Sequence, residues 1–216
     1  MDTPRPHDLL FLNSADVFEA CACNVQPNWL DAGWLAQAPV VVRRAVVAPG
    51  RVAVGARGLQ RNERCAGQLA LGGVSRRVTP QDLARAVRQD PDRLEPDAAA
   101  LPCIAALLAL APRLQDLGLG WGPAGGVGFW LASRLPVLRS TSDLDLVVRA
   151  PQPLAPAQLA ALCALQAHPG CRVDIQIDTG AGGFALMEYA RGGKVMLKTD
   201  AGPLLLNDPW ERREAA

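Results

Sequence analysis

Ser142-Asp143-Leu144-Asp145-Leu146-Val147-Val148 is the stretch that decides the fold. It alternates polar and apolar residues and then runs into valines, which reads as a strand entering a core. Residues two apart in a strand point to the same face, with Cα atoms roughly 6.6–6.8 Å apart. Asp143 and Asp145 therefore converge on one side while Leu144 and Leu146 go to the core. Two like charges this close repel, and burying them unpaired would cost several kcal/mol. A divalent cation resolves the conflict. Carboxylates are hard oxygen ligands suited to Mg²⁺, which keeps some waters and binds substrate phosphates. From this motif alone, a pair of solvated surface aspartates is the plain alternative.

The neighbouring segments narrow the choice. Downstream, Arg172-Val173-Asp174-Ile175-Gln176-Ile177 reads as another strand, with Val173 and Ile175 as core residues. Asp174 would supply a third carboxylate, completing a site for two metals, the usual arrangement for in-line displacement at phosphorus. Gln176 and Asp178 share its face, and Asp178 is the second choice for third ligand. Upstream, Gly125-Gly126 stands at the mouth of an expected helix through Phe129-Trp130-Leu131-Ala132. Glycines there let the backbone approach a phosphate, and helix-start N–H groups favour anions. A glycine pair, a helix, an Asp-x-Asp strand and a later apolar-Asp-apolar strand together resemble the nucleotidyltransferase superfamily. That superfamily includes polymerase β and the protein-modifying nucleotidyltransferases. The interval from Gly126 to Asp143 is longer than usual there. Gly126 stands where a serine is common, so any phosphate contact at that position must come from the backbone.

Farther out, apolar helices are expected over Leu101–Leu114 and Pro156–Ala167, and a short strand over Val195–Leu197. Helix and strand alternate, which suggests an α/β or α+β sheet domain over residues 98–216. The proline-punctuated segment from Asp90 to Pro102 is the expected boundary. Residues 1–89 read as a small β-rich domain. Strands are expected at Val40–Val42 and Val52–Gly55, with Val46 and Val47 extended between them. A helix is expected from Thr79-Pro80 to about Gln89. This domain carries the densest basic run, Arg43, Arg44, Arg57, Arg61 and Arg64. Arginine forks match phosphate oxygens bidentately; a solvated face is the alternative.

The composition sets limits. The 216 residues are half hydrophobic and carry a formal net charge of +1. A general nucleic-acid binder would show a strong basic excess. No apolar run approaches the ~18 residues of a membrane span, and Met1 to Leu10 lacks the pattern of a signal peptide. The six cysteines show no zinc-ligand spacing; Cys21 and Cys23 are separated by one residue only. The expectation is a cytoplasmic protein with reduced thiols.

Further segments sharpen the likeness: Arg5-Pro6-His7-Asp8-Leu9-Leu10, Val41-Val42-Arg43-Arg44-Ala45, Val54-Gly55-Ala56-Arg57-Gly58, Trp121-Gly122-Pro123, Gly126-Val127-Gly128-Phe129, Glu188-Tyr189-Ala190-Arg191, Leu197-Lys198-Thr199, Gly202-Pro203 and Asp208-Pro209-Trp210. With the two aspartate strands, they resemble the malonate decarboxylase holo-acyl-carrier-protein synthase family, also called phosphoribosyl-dephospho-CoA transferases, over nearly the whole chain. The resemblance implies a polymerase β-like mixed-sheet catalytic domain behind the β-rich N-terminal one. It implies triphosphoribosyl-dephospho-CoA as donor and a serine of the malonate decarboxylase acyl-carrier protein as acceptor, with pyrophosphate leaving. Asp143, Asp145 and Asp174 would hold Mg²⁺ and carry catalysis. Gly125, Gly126, Ser142, Arg43, Arg57 and Lys198 are the substrate-binding candidates. Arg43 and Arg57 follow two apparent strands and could sit at one edge of an inter-domain cleft.

Of the two histidines, His7 lies in a matched segment, although a lone histidine is more often structural. The only lysines, Lys194 and Lys198, flank the short late strand. Trp121, Trp130 and Trp210 are expected to fill core or domain interface. Two other functions fit the same motifs: a nucleotidyltransferase using ordinary ATP, and a nucleotide-binding module with a degenerate metal site.

Overall fold

The computed structural model describes residues 3–21, 26–90 and 94–211. Cys23 lies outside the described residues, as do residues 91–93 of the segment from Asp90 to Pro102. By internal packing the chain forms two units, Met1–Thr79 with Phe129–Leu138, and Pro80–Gly128 with Arg139–Ala216. The architecture is α+β, with one sheet in each unit.

The first unit contains β1 (Leu9–Leu12), β2 (Glu19–Ala20), α1 (Ala32–Gln37), β3 (Val40–Val42), β4 (Arg51–Arg57), β5 (Arg64–Ala70) and β6 (Val74–Val78). The strands pair antiparallel in the order β2-β5-β4-β3-β1-β6. Strand β4 shows why the sequence sits this way. Val52, Val54 and Ala56 alternate onto one face and join Leu10, Phe18, Leu30, Val40, Val42 and Leu69 in the core. Arg51, Ala53, Gly55 and Arg57 take the other face. Val46 and Val47 lie outside any strand, so the extension expected there is loop.

The second unit contains α2 (Pro80–Gln89), α3 (Pro96–Ala99), α4 (Pro102–Asp116), β7 (Gly120–Pro123), the first residues of α5 (Gly125–Ser133), β8 (Leu144–Arg149), α6 (Pro156–Gln166), β9 (Val173–Asp178), β10 (Gly183–Ala185), α7 (Leu186–Ala190), β11 (Val195–Thr199) and β12 (Gly202–Leu206). The sheet order is β12-β11-β10-β9-β8-β7. Every pairing is antiparallel except β8 with β9, which run parallel and are joined through α6. Leu144, Leu146 and Val148, with Val173, Ile175 and Ile177, are buried on one face. Helix α4 packs along β8, and α6 and α7 along β9.

Strand β7 was not anticipated. Gly-Trp-Gly-Pro has the composition of a loop, and the helix was expected to begin only at Phe129. The reason for the glycine is steric: a Cβ on Gly122 would lie 1.9 Å from the Pro80 carbonyl oxygen. The start of α2 presses on β7 there, and only a bare backbone leaves room.

Candidate functional site

Residues paired in register on neighbouring strands share a face. In the β8–β9 pairing Asp145 stands opposite Asp174, and Arg149 stands opposite Asp178. All four lie on the face away from Leu144 and Ile175. One face therefore carries an acid–acid pair and, four residues farther along, an acid–base pair.

The two pairs differ in chemistry. Arg149 and Asp178 form a buried salt bridge, Arg149 Nη1 to Asp178 Oδ2, and Asp178 Oδ1 accepts the Gly180 N–H at 3.0 Å. The Asp178 carboxylate is committed to this pair, which removes it as an alternative third ligand although it does share the face of Asp174. Asp145 and Asp174 are both half-buried. Like charges directly opposite across two strands are unfavourable unless other groups offset them.

Gly125 completes this end. Its φ is +54°, in the left-handed region. A Cβ on it would lie 1.8 Å from Asp145 Oδ2. Both constraints demand glycine. The Ala124 N–H donates to the Asp145 carbonyl at 2.8 Å, so the helix start is tied to the strand. The N–H groups of α5 thus begin beside the carboxylate, with Gly126 next in line.

Asp143 does not lie within the strand; β8 begins at Leu144. It follows a tight turn in which the Arg139 N–H donates to Ser142 Oγ at 2.9 Å and the Ser142 N–H donates to the Arg139 carbonyl at 3.0 Å. The Ser142 hydroxyl thus has a structural task. The Cys171 thiol backs this turn, donating to the Ser142 carbonyl at 3.5 Å and to the Arg172 carbonyl at 3.2 Å. Burial pushes the thiols of Cys103 and Cys171 up, and the charge of Asp143 adds to both shifts. None of the five described cysteines is in a disulfide. Among the described residues no three His, Cys, Asp or Glu side chains converge into a metal cage. Mg²⁺ is commonly bound by one or two carboxylates plus substrate phosphates, and the facing pair Asp145 and Asp174 suits that mode.

Lys198 is exposed on β11, in the row Lys198–Gly183–Asp178–Arg149. It is two strands over and four residues along from Asp174, about 16 Å by sheet geometry. The structure does not bring it to the carboxylates. In the first unit, Arg43 continues β3 opposite Ala53, its N–H bonded to the Ala53 carbonyl at 3.0 Å. Arg43 and Arg57 share a sheet face with Arg51 and Arg64, separated by the small residues Ala53 and Gly55. Arg43 is exposed. Arg57 is 8% exposed, with its guanidinium 5.0 Å from the Phe129 ring centroid. His7 sits in a turn with φ 75° and donates its N–H to the Val42 carbonyl. Trp121 is buried. Trp130 stacks under Arg134, and Trp210 packs on Phe184 and Tyr189 while its indole N–H donates to the Ala150 carbonyl.

Arg149 had been passed over in the sequence. The signal was available: Asp145-x-x-x-Arg149 and Asp174-x-x-x-Asp178 have equal spacing, so parallel strands in register at one pair are in register at both.

Two family models match the chain. The phosphoribosyl-dephospho-CoA transferase MdcG N-terminal domain covers residues 5–80 and the corresponding C-terminal domain covers residues 86–209. A phosphoribosyl-dephospho-CoA transferase of Pseudomonas putida (strain GB-1) is 43% identical over 218 residues, covering all of both chains. One from Klebsiella pneumoniae (strain 342) is 42% identical over 212 residues, covering 98% of each chain. One from Pseudomonas aeruginosa is 42% identical over 212 residues, covering 98% of this chain and 96% of its own. No solved structure matches. No helix among the described residues is long and apolar enough to cross a membrane.

Proposed function

Because the chain belongs to the phosphoribosyl-dephospho-CoA transferase MdcG family, we propose that it transfers the phosphoribosyl-dephospho-CoA group from triphosphoribosyl-dephospho-CoA to a serine of the malonate decarboxylase acyl-carrier protein, releasing pyrophosphate. The observation that carries this reading is the facing pair Asp145 and Asp174, with Gly125 held against Asp145. In this reading the second unit is a nucleotidyltransferase-type domain.

The reaction is a displacement at the donor phosphorus nearest the ribose. The serine oxygen forms a new P–O bond, and the bond to pyrophosphate breaks. Asp145 and Asp174, with Asp143 at the strand entry, would hold Mg²⁺, which supplies neutralisation of the phosphate charge when bound. The N–H groups of Gly125 and Gly126 would hold phosphate oxygens, as helix starts do. Asp174 would accept the hydrogen bond of the attacking hydroxyl and orient it. Arg43 and Arg57 would take phosphates of the donor through charge-assisted contacts.

The test is incubation of the protein with the apo carrier, the donor and Mg²⁺, followed by intact mass of the carrier and assay of pyrophosphate. The expected result is a mass gain of one prosthetic group with equimolar pyrophosphate, and loss of both on adding EDTA. A carrier of unchanged mass would refute the assignment. The same gain when ATP replaces the donor would point instead to ordinary nucleotidyl transfer.

A further inference from the structure

Among the described residues of the second unit, the exposed large hydrophobics are Met196, Leu204 and Leu205, at 38%, 38% and 54% exposure. All three lie on the β11–β12 hairpin. Met196 stands opposite Leu205 in the register, so these two share a face. Lys198 shares that face two residues after Met196, and Lys194 precedes Met196 by the same interval. Both lysines are exposed, and the chain has no others. Among the described residues no carboxylate forms an ion pair with either. The result is an apolar pair bracketed by two ammonium groups on the edge hairpin of the sheet.

The strip is continuous with the site. Lys198, Gly183 and Asp178 form one row across β11, β10 and β9, so the Met196 face is the face of Asp174. Lys194 immediately precedes β11, and β10 ends at Ala185, where α7 takes over beside β11. An exposed apolar patch with a charged rim marks an interaction surface. An unprotected apolar edge strand is otherwise an aggregation hazard.

We propose that Lys194, Met196, Lys198 and Leu205 form the docking surface for the acceptor protein, which would present its serine with acidic and aliphatic side chains around it. This rests on the reading that the acceptor is a protein serine. Charge complementarity selects the partner. Two fixed positive charges around an apolar pair suit an acidic protein surface, while the triphosphate end of the donor belongs at the carboxylates and the helix start. The assignment gives Lys198 a task that its distance from Asp174 allows, unlike contact with the reacting phosphate.

The test is calorimetric titration of the apo carrier into the full chain, alongside steady-state kinetics with each substrate varied in turn. Lys194→Glu and Leu205→Asp change exposed side chains only. Each should weaken carrier binding and raise the carrier's KM by about tenfold or more, a scale of one interfacial contact, with the donor's KM unchanged. Lys198→Glu should act in the same direction. Carrier affinity equal to wild type in both exposed variants would overturn the proposal, as would a rise confined to the donor's KM. If wild-type protein binds the carrier through this strip yet adds no mass to it, the transferase reading fails and the docking surface stands. If the variants instead change only the sedimentation of the protein by itself, the strip pairs copies of this chain and the proposal is wrong.

Discussion

Each unit is built on six strands, but the two sheets display opposite charges by different routes. In the first, the meander β3–β4–β5 places Arg43, Arg51, Arg57 and Arg64 on one face through short antiparallel connections. In the second, Asp145 and Asp174 meet through the one parallel pairing, across the whole of α6. Guanidinium groups can be spread over a face by local alternation, since each finds water, a carbonyl or an aromatic ring. Arg57 lies over Phe129, and Arg51 pairs with Glu19, which holds the Glu19 carboxyl below its usual range. The two carboxylates are set directly opposite each other only by a long-range pairing. Within the second sheet the register sets an acid beside a base at Arg149 and Asp178, and an acid beside an acid at Asp145 and Asp174.

The largest effect is expected from Asp145→Asn. Transfer should fall by about a thousandfold or more, the scale for losing a group that stabilises transition-state charge. A variant that keeps turnover would show that the acid pair is not the centre of the site. Next is Asp178→Ala, which removes the carboxylate from buried Arg149. It should cost about 3–5 kcal/mol of stability in urea denaturation. Protein that remains folded should still transfer; if activity vanished without any loss of stability, Asp178 would belong with the ligands after all.

Gly125→Ala acts on the acid pair from the helix side. It forces a side chain into left-handed backbone and against Asp145. A displacement near 1 Å at a reacting centre costs about a hundredfold in rate, and kcat should drop by that order with the donor's KM little changed. The smallest effect is expected in the first unit. Arg43→Ala should raise the donor's KM by about tenfold, roughly 1.4 kcal/mol, with stability unaffected because the side chain is exposed. Arg57→Ala should add a stability loss of about 1 kcal/mol from its ring contact. Kinetics that leave the donor's KM unmoved in both variants would leave the arginine face without its proposed task.

Much of this was legible in the residues. The apolar–Asp alternation at Leu144–Val148 and Val173–Ile177 placed both aspartate strands to within two residues, because burial on one face imposes a period of two. The helices over Pro80–Gln89 and Pro156–Gln166 announced themselves by an opening proline. What was hidden depended on partners far along the chain. Gly120–Pro123 is a strand because it pairs with β8, and Pro80 requires its glycine at 122; no local propensity records either. Ser142 reads as a site residue but spends its hydroxyl oxygen on a turn. Lys198 matched a family segment, yet the register carries it away from Asp174. Asp178 had the right face and the wrong neighbour.

The parallel pairing of β8 with β9 also has a consequence for how the chain assembles. Antiparallel neighbours such as β4 and β5, or β11 and β12, close short loops, whereas β8 and β9 are separated in the chain by the whole of α6. Contacts of this separation carry a larger loop-closure cost and slow folding. For this chain the same step brings Asp145 opposite Asp174. A cation bound by the closed pair and not by the open chain would favour the folded side by mass action. Refolding amplitude and thermal midpoint would then both respond to Mg²⁺, with no substrate present.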